Sequence, residues 1–232
     1  MNIERKGAEI MKKTVLALAL LAASAGAFAQ SSSEGFTAGS ILVRVRAVYL
    51  DGANKDNTAI ATTAGPHYLN LSAQKKWVIP EVDLSYFFTK NWASELILAI
   101  PPKVRINSDV PGPLGGDIGS VRALPPTIFA QYHLDEMYGF KPYVGVGLNY
   151  THFSSVKLIG GATIKRNSFG PALQIGVDYA ITKNLYLNLD VKKVWVKTKV
   201  TSVPGLGVTN DMMSGTLKID PTMIGFGIGY RF

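Results

Sequence analysis

The sequence predicts an all-β protein: an eight-stranded antiparallel transmembrane β-barrel with short periplasmic turns and long extracellular loops. Three observations predict this fold class. An export signal precedes the domain, eight segments alternate between apolar and polar residues, and the connections between those segments alternate between long and short.

Residues 1–29 are predicted to be a cleaved signal peptide, which leaves residues 30–232 as the barrel domain. A basic pair, an apolar run and a small-x-small cleavage site follow one another: Lys12 and Lys13, Val15 to Ala23, and Ala27 to Ala29. The apolar run is too short for a permanent membrane helix. Met11 is the better start, because residues 1–10 add two acids and nothing that a signal needs.

Composition narrows the class of protein further. The chain has 24 basic and 16 acidic residues, and removal of the signal peptide leaves 20 and 14. This positive charge could suit nucleic acid, but export from the cytoplasm argues against that partner. Cysteine is absent, so a real core or a membrane must hold the domain together. No segment after the signal peptide approaches the roughly 20 apolar residues of a transmembrane helix.

Eight segments carry the period-two pattern of β-strands. They run from Ile41 to Leu50, Val78 to Phe88, Trp92 to Ile100, Pro126 to His133, Lys141 to Phe153, Gly170 to Ala180, Leu185 to Val191, and Ile219 to Phe232. One face of each segment is apolar, and the other is polar, charged or glycine. A soluble barrel would bury the apolar face, whereas a membrane barrel turns it outward to lipid.

Three features favour the membrane barrel. Most segments are long enough to cross the hydrocarbon at a tilt, for which about 9–11 residues suffice. Aromatic residues lie near segment ends, where an interfacial girdle would be. Glycines are frequent on the polar face of the fifth and eighth segments, as expected where eight strands leave little interior room.

The connections predict the orientation of the barrel. Long ones cover 51–76, 101–124, 154–167 and 201–215, and short ones cover 89–91, 135–136 and 182–184. Short periplasmic turns and long outer loops give this alternation, with both termini in the periplasm.

The seventh segment contains an apparent change of phase. Its apolar positions run to Val191 and resume at Val194 and Val196, which predicts a β-bulge near Lys192 and Lys193. The alternative is that the strand has left the membrane at this point, so that its faces no longer differ.

Eight charged residues are predicted to face inward and form a charged belt in the periplasmic half of the lumen. They are Arg44, Arg46, Glu81, Asp83, Glu95, Asp178, Asp190 and Lys192. Charges in so narrow a space must pair or remain hydrated. The expected result is a salt-bridge network that fills the barrel, so we expect only a small ion conductance across a planar bilayer.

Five motifs are similar to those of a known family. They are Pro125-Pro126-Thr127, the segment from Lys141 to Tyr150, Gly176 to Tyr179, Leu217 to Pro221, and Gly229 to Phe232. Together they resemble the OmpW family of outer-membrane proteins (OmpW/AlkL-like) over nearly the whole mature chain. The resemblance implies passive entry of small hydrophobic molecules and, in some members, colicin or phage reception or stress responses. The terminal Phe232 predicts recognition of the last strand by the barrel-assembly machinery.

The resemblance also implies an apolar constriction on the third and seventh strands. Ile97 matches the third-strand position, and Lys192 stands at the seventh-strand position. We place the apolar lining of the lumen on Ile79, Ile97, Phe129 and Met223.

A closed lower lumen predicts a sideways exit through the wall. Proline removes a donor from the strand ladder, and five prolines lie in or beside strands: Pro80, Pro125, Pro126, Pro142 and Pro171. A solute would leave between strands at such a place and enter the bilayer. The alternative is that these prolines only occupy strand ends and bulges.

Basic residues are frequent in the outer loops and strand tips, whereas acids are sparser there. They are Lys75, Lys76, Lys103, Arg105, Arg122, Lys157, Lys165, Arg166, Lys197 and Lys199. Phosphates of outer-leaflet lipopolysaccharide would gain charge-assisted contacts from them. The alternative is a merely solvated basic surface.

No catalytic or metal-binding pattern is present. His67, His133 and His152 are scattered, and no serine, histidine and aspartate face one another. We expect no enzyme activity and no cofactor or metal. Two functions remain open: a channel for hydrophobic solutes, and a non-conducting structural or receptor barrel. A soluble lipocalin-like binder is disfavoured by the terminal Phe232.

Overall fold

A computed structural model of the chain describes residues 35–53, 55–56, 59–62, 65–68, 71–73, 76–108, 116–158, 161–202, 213–214 and 216–232. The predicted signal peptide lies outside these residues. In the described part of the chain, no helix is long and apolar enough to cross a membrane.

Eight antiparallel strands form the wall of the barrel. They are β1 (Ile41–Asp51), β2 (Lys76–Phe87), β3 (Trp92–Ala99), β4 (Thr127–His133), β5 (Phe140–Leu158), β6 (Asn167–Ala180), β7 (Leu185–Val194) and β8 (Thr222–Arg231). Each strand pairs with its sequence neighbours, and β1 pairs with β8 to close the barrel. The predicted eight-stranded antiparallel barrel is confirmed.

The outer surface of the wall is apolar, and the charged residues face inward. Val78 is 64 % and Val146 is 63 % exposed, whereas Arg44 and Asp83 are fully buried. The period of two places alternate residues on opposite faces, so the same pattern sets both surfaces. A soluble barrel would have the opposite arrangement, and these faces are those of a barrel surrounded by lipid.

Aromatic side chains pair near the strand ends on the short-turn side. Trp92 lies edge-on to Tyr132 with ring centroids 5.0 Å apart, and Tyr230 lies similarly against Phe232 at 4.8 Å. Phe232 also exchanges backbone hydrogen bonds with Ile41, which ties the last residue into the seam between β1 and β8. These rings form the interfacial girdle expected of a membrane barrel.

Two of the short turns are built from the same tripeptide, Thr-Lys-Asn. In the first turn, the Trp92 N–H donates to the Thr89 hydroxyl (2.9 Å), and Asn91 Nδ2 donates to the His133 carbonyl oxygen (2.7 Å). Thr182 and Asn184 make the equivalent bonds in the second turn. Asn91 and Lys90 also lower the pKa of Asp135 in the neighbouring turn by hydrogen bonding to its carboxylate.

The long connections carry short strands that raise the wall above the eight main strands. These are Lys55–Asp56, Ala59–Thr62, Gly65–Tyr68, Leu71–Ala73, Lys103–Ser108, Gly116–Leu124, Thr163–Ile164, Lys197–Thr198, Val200–Ser202, Met213–Ser214 and Leu217–Lys218. Strand β5 continues upward to Leu158 and pairs there with Gly116–Leu124. Inward-facing Val104 and Ile106 give one of these strands a buried apolar face, which explains why it forms.

The predicted β-bulge in β7 is wrong. The register with β6 is regular through Val194, and the alternation of buried and exposed residues continues unchanged past Lys192. Val194 and Val196 are buried because they face the lumen, like Lys192 below them. The lining of the lumen changes from charged to apolar at this height, and this change produced the apparent shift of phase.

Candidate functional site

The charged belt is a single buried network. Arg46 contacts Asp83 (2.5 Å), Glu95 (2.7 Å) and Asp190 (3.1 Å). Arg44 contacts the same Glu95 at 2.8 Å and also contacts Asp178 at 2.6 Å. Lys192 contacts Asp190 at 3.1 Å and also pairs with Glu81. All eight side chains are at most 2 % exposed, so the belt fills the lumen from wall to wall.

Neutral polar side chains complete the belt, and the sequence analysis did not single them out. Gln174 Nε2 donates to Glu95 Oε2 (2.9 Å) and to Asp190 Oδ2 (2.7 Å), and Gln131 Nε2 donates to the same Glu95 oxygen. Asn188 Nδ2 donates to Asp178 and to the Tyr143 hydroxyl. Their position on the polar face of the fourth to seventh segments is the sequence feature that would have identified them. The ring of Tyr143 fits because Gly176 has no side chain: a Cβ there would lie 2.4 Å from the ring.

An aromatic plug closes the lumen between the belt and the short turns. Phe36, which precedes β1, stacks on Phe87 (4.3 Å) and on Tyr186 (5.1 Å). His133 lies edge-on to Phe36 and makes a 3.1 Å hydrogen bond from Nε2 to the Gln131 side chain. Within the described ranges, no group of three or more histidine, aspartate or glutamate side chains could hold a metal ion.

Above the belt lies an apolar cavity of about 70 Å³, which we call the chamber. Three of the four predicted lining residues, Ile79, Ile97 and Met223, line it, and Lys192 and Glu81 form part of its floor. Phe129 is placed lower. It pairs in register with Glu95, and it packs on Gly147, where a Cβ would lie 2.6 Å from the ring. Phe129 therefore lies below the chamber, beside the belt.

The wall beside the chamber contains a gap between β3 and β4. The last regular pair is Ile97 with Thr127, and pairing resumes with Lys103 and Arg122. Among the described residues, one backbone hydrogen bond crosses residues 98–102 and 123–126, from the Ala123 N–H to the Pro102 carbonyl oxygen. We call these two segments the wall gap.

Two proline pairs lie on opposite sides of the wall gap, Pro101-Pro102 on one segment and Pro125-Pro126 on the other. All four are half-buried, and none has an N–H to donate. Pro102 and Pro125 also line the chamber, so the cavity extends to the wall gap. The sequence analysis singled out Pro125 and Pro126 but took Pro101 and Pro102 as the start of a loop. The recurrence of a Pro-Pro dipeptide is the sequence feature that would have identified Pro101 and Pro102.

The other three predicted prolines do not lie at such a gap. Pro80, Pro142 and Pro171 each follow the last pair of one ladder, and their carbonyl oxygens accept hydrogen bonds from Ile100, Leu134 and Trp195. Proline has no backbone N–H, and it is tolerated at these positions because the ladder on that side has ended and requires no donor. Each of the three lies inside its strand and is paired on the other side, with Ala47, Val177 and Leu148 respectively, so it marks the end of one ladder and leaves the wall closed.

A second apolar cavity of about 40 Å³ lies above the chamber. Phe153 and Ile219 line both cavities and separate them. The lumen therefore has an apolar upper part in two compartments, a lateral gap beside the lower one, and a charged, closed base.

Comparisons with known proteins agree with this architecture. The family model described as the OmpW family matches residues 37–232. Outer membrane protein W of Vibrio cholerae is 32 % identical over 96 % of this chain and all of that protein. An uncharacterised outer-membrane protein of Sinorhizobium fredii, y4mB, is 36 % identical over 87 % of this chain and 84 % of its own length.

A solved structure is similar over the same region. The crystal structure of the outer membrane protein OprG from Pseudomonas aeruginosa has a TM-score of 0.71 and 26 % identity, and the match covers 85 % of this chain and 98 % of OprG. The chain therefore belongs to the OmpW family and is an integral β-barrel of the outer membrane.

Proposed function

We propose that the barrel lets small hydrophobic molecules enter passively and releases them sideways into the bilayer through the wall gap. The observation that supports this most directly is that the apolar chamber reaches the wall gap while the lumen beneath it is closed. No chemical step is involved, because the solute only moves from one apolar environment to another.

The charged belt argues against passage straight through the barrel. An apolar molecule on that path would have to separate ion pairs such as Arg46 with Glu95 and leave them without replacement partners. Breaking a buried pair costs about 3–5 kcal/mol, and the belt contains several that share members. The aromatic plug below adds a second barrier.

The wall gap supports the sideways route because little hydrogen bonding has to break there. Asn149 Nδ2 already reaches the carbonyl oxygens of Pro125 and Pro126, each at 3.4 Å, and the Tyr150 N–H donates to Pro126 from the β5 side. Backbone polar groups facing hydrocarbon must be satisfied within the protein. The Asn149 contacts join β5 to the segment that precedes β4, so β3 can separate from that segment without exposing these carbonyls.

A cross-link across the wall gap should stop uptake. The chain has no cysteine, so a barrel with Ile100→Cys and Leu124→Cys carries thiols only on the two sides of the gap. When the two thiols are joined by a short bismaleimide with a cleavable spacer, the protein-dependent uptake of a labelled alkane should fall at least about tenfold. A rise of only about 1.4 kcal/mol in the free-energy barrier to exit is enough for a tenfold effect. Cleavage of the spacer should restore uptake.

The control joins strands that are already paired. Leu96 and Ile128 are opposite one another on β3 and β4 and face the lipid, so linking cysteines there should leave uptake unchanged. If the cross-linked gap variant still takes up alkane at the uncross-linked rate, the lateral route is wrong. If cells with and without the protein take up alkane equally, the barrel is a structural or receptor protein instead.

We also propose that basic residues at the outer rim bind phosphates of lipopolysaccharide. The predicted bases that the structure describes in this region are exposed, and Lys75 lies outside the described residues. Lys103 is directly opposite Arg122 above the wall gap, and Lys197 is opposite Lys218. Like charges in opposed positions destabilise a sheet, and an anion between them would remove that repulsion.

Charge reversal at the first of these pairs should weaken lipopolysaccharide binding. Each base near an anionic surface contributes about 1 kcal/mol, so Lys103→Glu with Arg122→Glu should reduce the affinity for lipopolysaccharide micelles by about tenfold or more. The matched control reverses Lys90 and Lys183, which are exposed in the short turns at the opposite end, and should change nothing. Equal binding by the two double variants would show that the rim is only a solvated basic surface.

A further inference from the structure

The chamber is apolar except at three places, and each presents a defined hydrogen-bonding or charged group. One is the indole of Trp77, another is the set Thr127, Asn149 and Thr151, and the last is the Lys192–Glu81 pair in the floor. A cavity for hydrocarbon alone would not require any of them, since each polar group in an apolar site lowers its affinity for a purely apolar molecule.

Trp77 presents a donor without an acceptor. Its Nε1 atom is buried and has no hydrogen-bond partner among the described residues. An indole N–H can only donate, and a buried donor left unpaired is destabilising. An oxygen atom of a molecule in the chamber would satisfy it.

The threonine–asparagine set presents acceptors. The Thr151 hydroxyl donates to Asn149 Oδ1 (2.7 Å), Asn149 Nδ2 donates to Thr127 Oγ1 (2.8 Å), and the Thr127 hydroxyl donates to the Pro125 carbonyl oxygen (3.2 Å). In this series of hydrogen bonds, every donor hydrogen is directed toward the next residue and finally toward Pro125 in the wall. The lone pairs of Thr151 Oγ1 and of Asn149 Oδ1 can therefore accept a hydrogen bond from a molecule in the chamber.

The belt directly beneath the chamber holds more carboxylates than cations, and two further buried cations, Lys141 and Arg231, lie nearer the short turns. The belt contains three cationic and five carboxylate side chains, so its formal charge is −2. The ammonium of Lys192 in the floor is already engaged by Glu81 and Asp190. A carboxylate in the chamber would meet an excess of negative charge across a medium that screens poorly.

We infer that the chamber selects neutral hydrophobic molecules bearing a hydroxyl group, such as a medium-chain primary alcohol, over alkanes and fatty-acid anions of equal length. This inference rests on the proposed function. The hydroxyl oxygen accepts from Trp77 Nε1 at one position in the chamber. At a second position in the chamber, the hydroxyl group donates a hydrogen bond to Thr151 or Asn149. The alkyl chain lies against Ile79, Ile97 and Met223.

Two variants test this with solutes of one length: octane, 1-octanol and octanoate. Trp77→Phe and Thr151→Val each remove one hydrogen-bonding group and keep most of the shape. Each should lower the ratio of protein-dependent 1-octanol uptake to octane uptake about fivefold, the effect of one net hydrogen bond. Octanoate should enter at less than about one tenth of the 1-octanol rate in the unmodified barrel.

Matched controls make the same substitutions outside the chamber. Trp92→Phe changes an exposed residue of the girdle, and Thr198→Val changes a residue lining the upper cavity; neither should change the ratio of 1-octanol to octane uptake. If both solutes depend on the protein but Trp77→Phe and Thr151→Val leave that ratio unaltered, the inference is overturned and the proposed function stands. If neither solute depends on the protein, the proposed function fails and the inference fails with it.

Discussion

Replacing Arg46 with alanine should lower the free energy of unfolding of the barrel by about 3–5 kcal/mol, the cost of leaving a buried ion pair without one partner. Arg46 is fully buried and contacts three carboxylates within 3.1 Å, those of Asp83, Glu95 and Asp190. Its removal makes the formal charge of the belt more negative, from −2 to −3, and leaves Asp83 without its closest cation. The same change should raise the small ion conductance expected of the unmodified barrel.

Urea unfolding in lipid vesicles, followed by the difference in gel mobility between folded and heated barrel, measures the loss of stability. Lys90→Ala is the matched control, because Lys90 forms an exposed pair with Asp135, and such a pair contributes only about 0–1 kcal/mol. A loss below 1 kcal/mol for Arg46→Ala would mean that the belt is hydrated and weakly coupled rather than a closed network.

Replacing Ile97 with glutamate should abolish uptake of apolar solutes while the barrel still folds. Ile97 is 3 % exposed, lines the chamber, and forms the last regular pair before the wall gap. A carboxylate there would stand beside Asp83 in the register and above a belt that already has excess negative charge. Its hydration would fill the chamber with water, so we expect at least about a tenfold loss of alkane uptake, corresponding to about 1.4 kcal/mol.

Ile97→Leu is the control for this position, because it conserves volume and apolarity and should keep uptake close to the unmodified rate. Gel mobility shows whether each variant is folded in the membrane. Unchanged uptake by a folded Ile97→Glu barrel would show that solutes do not pass through the chamber.

The wall and the belt could be predicted from the sequence because a period of two determines both. Once Val45 and Ala47 are assigned to lipid, Arg44 and Arg46 must face the lumen, and eight strands leave so little space that such charges must meet. The same argument failed for Val194 and Val196, since it assumed that the inward face stays polar at every height. In the structure that face becomes apolar where the chamber begins.

Features that depend on contacts between distant segments were not predictable in this way. Phe36 precedes the first periodic segment, and its position in the plug depends on Phe87 and Tyr186. The depth of Phe129 depends on the space left by Gly145 and Gly147 on the neighbouring strand. Period-two reasoning assigns a residue to a face but gives no distance along the lumen.

The belt also has a consequence for how the barrel finds its correct strand pairing. Its members come from five strands, β1, β2, β3, β6 and β7, and several contacts cross the lumen between strands that are not neighbours, such as Arg44 with Asp178. A slip of one residue in any of these strands would turn its charged side chains outward. A basic residue facing the middle of the hydrocarbon costs about 2–4 kcal/mol. The network thus favours the correct strand register during assembly. A misaligned barrel would lose its internal ion pairs and expose charge to lipid at the same time.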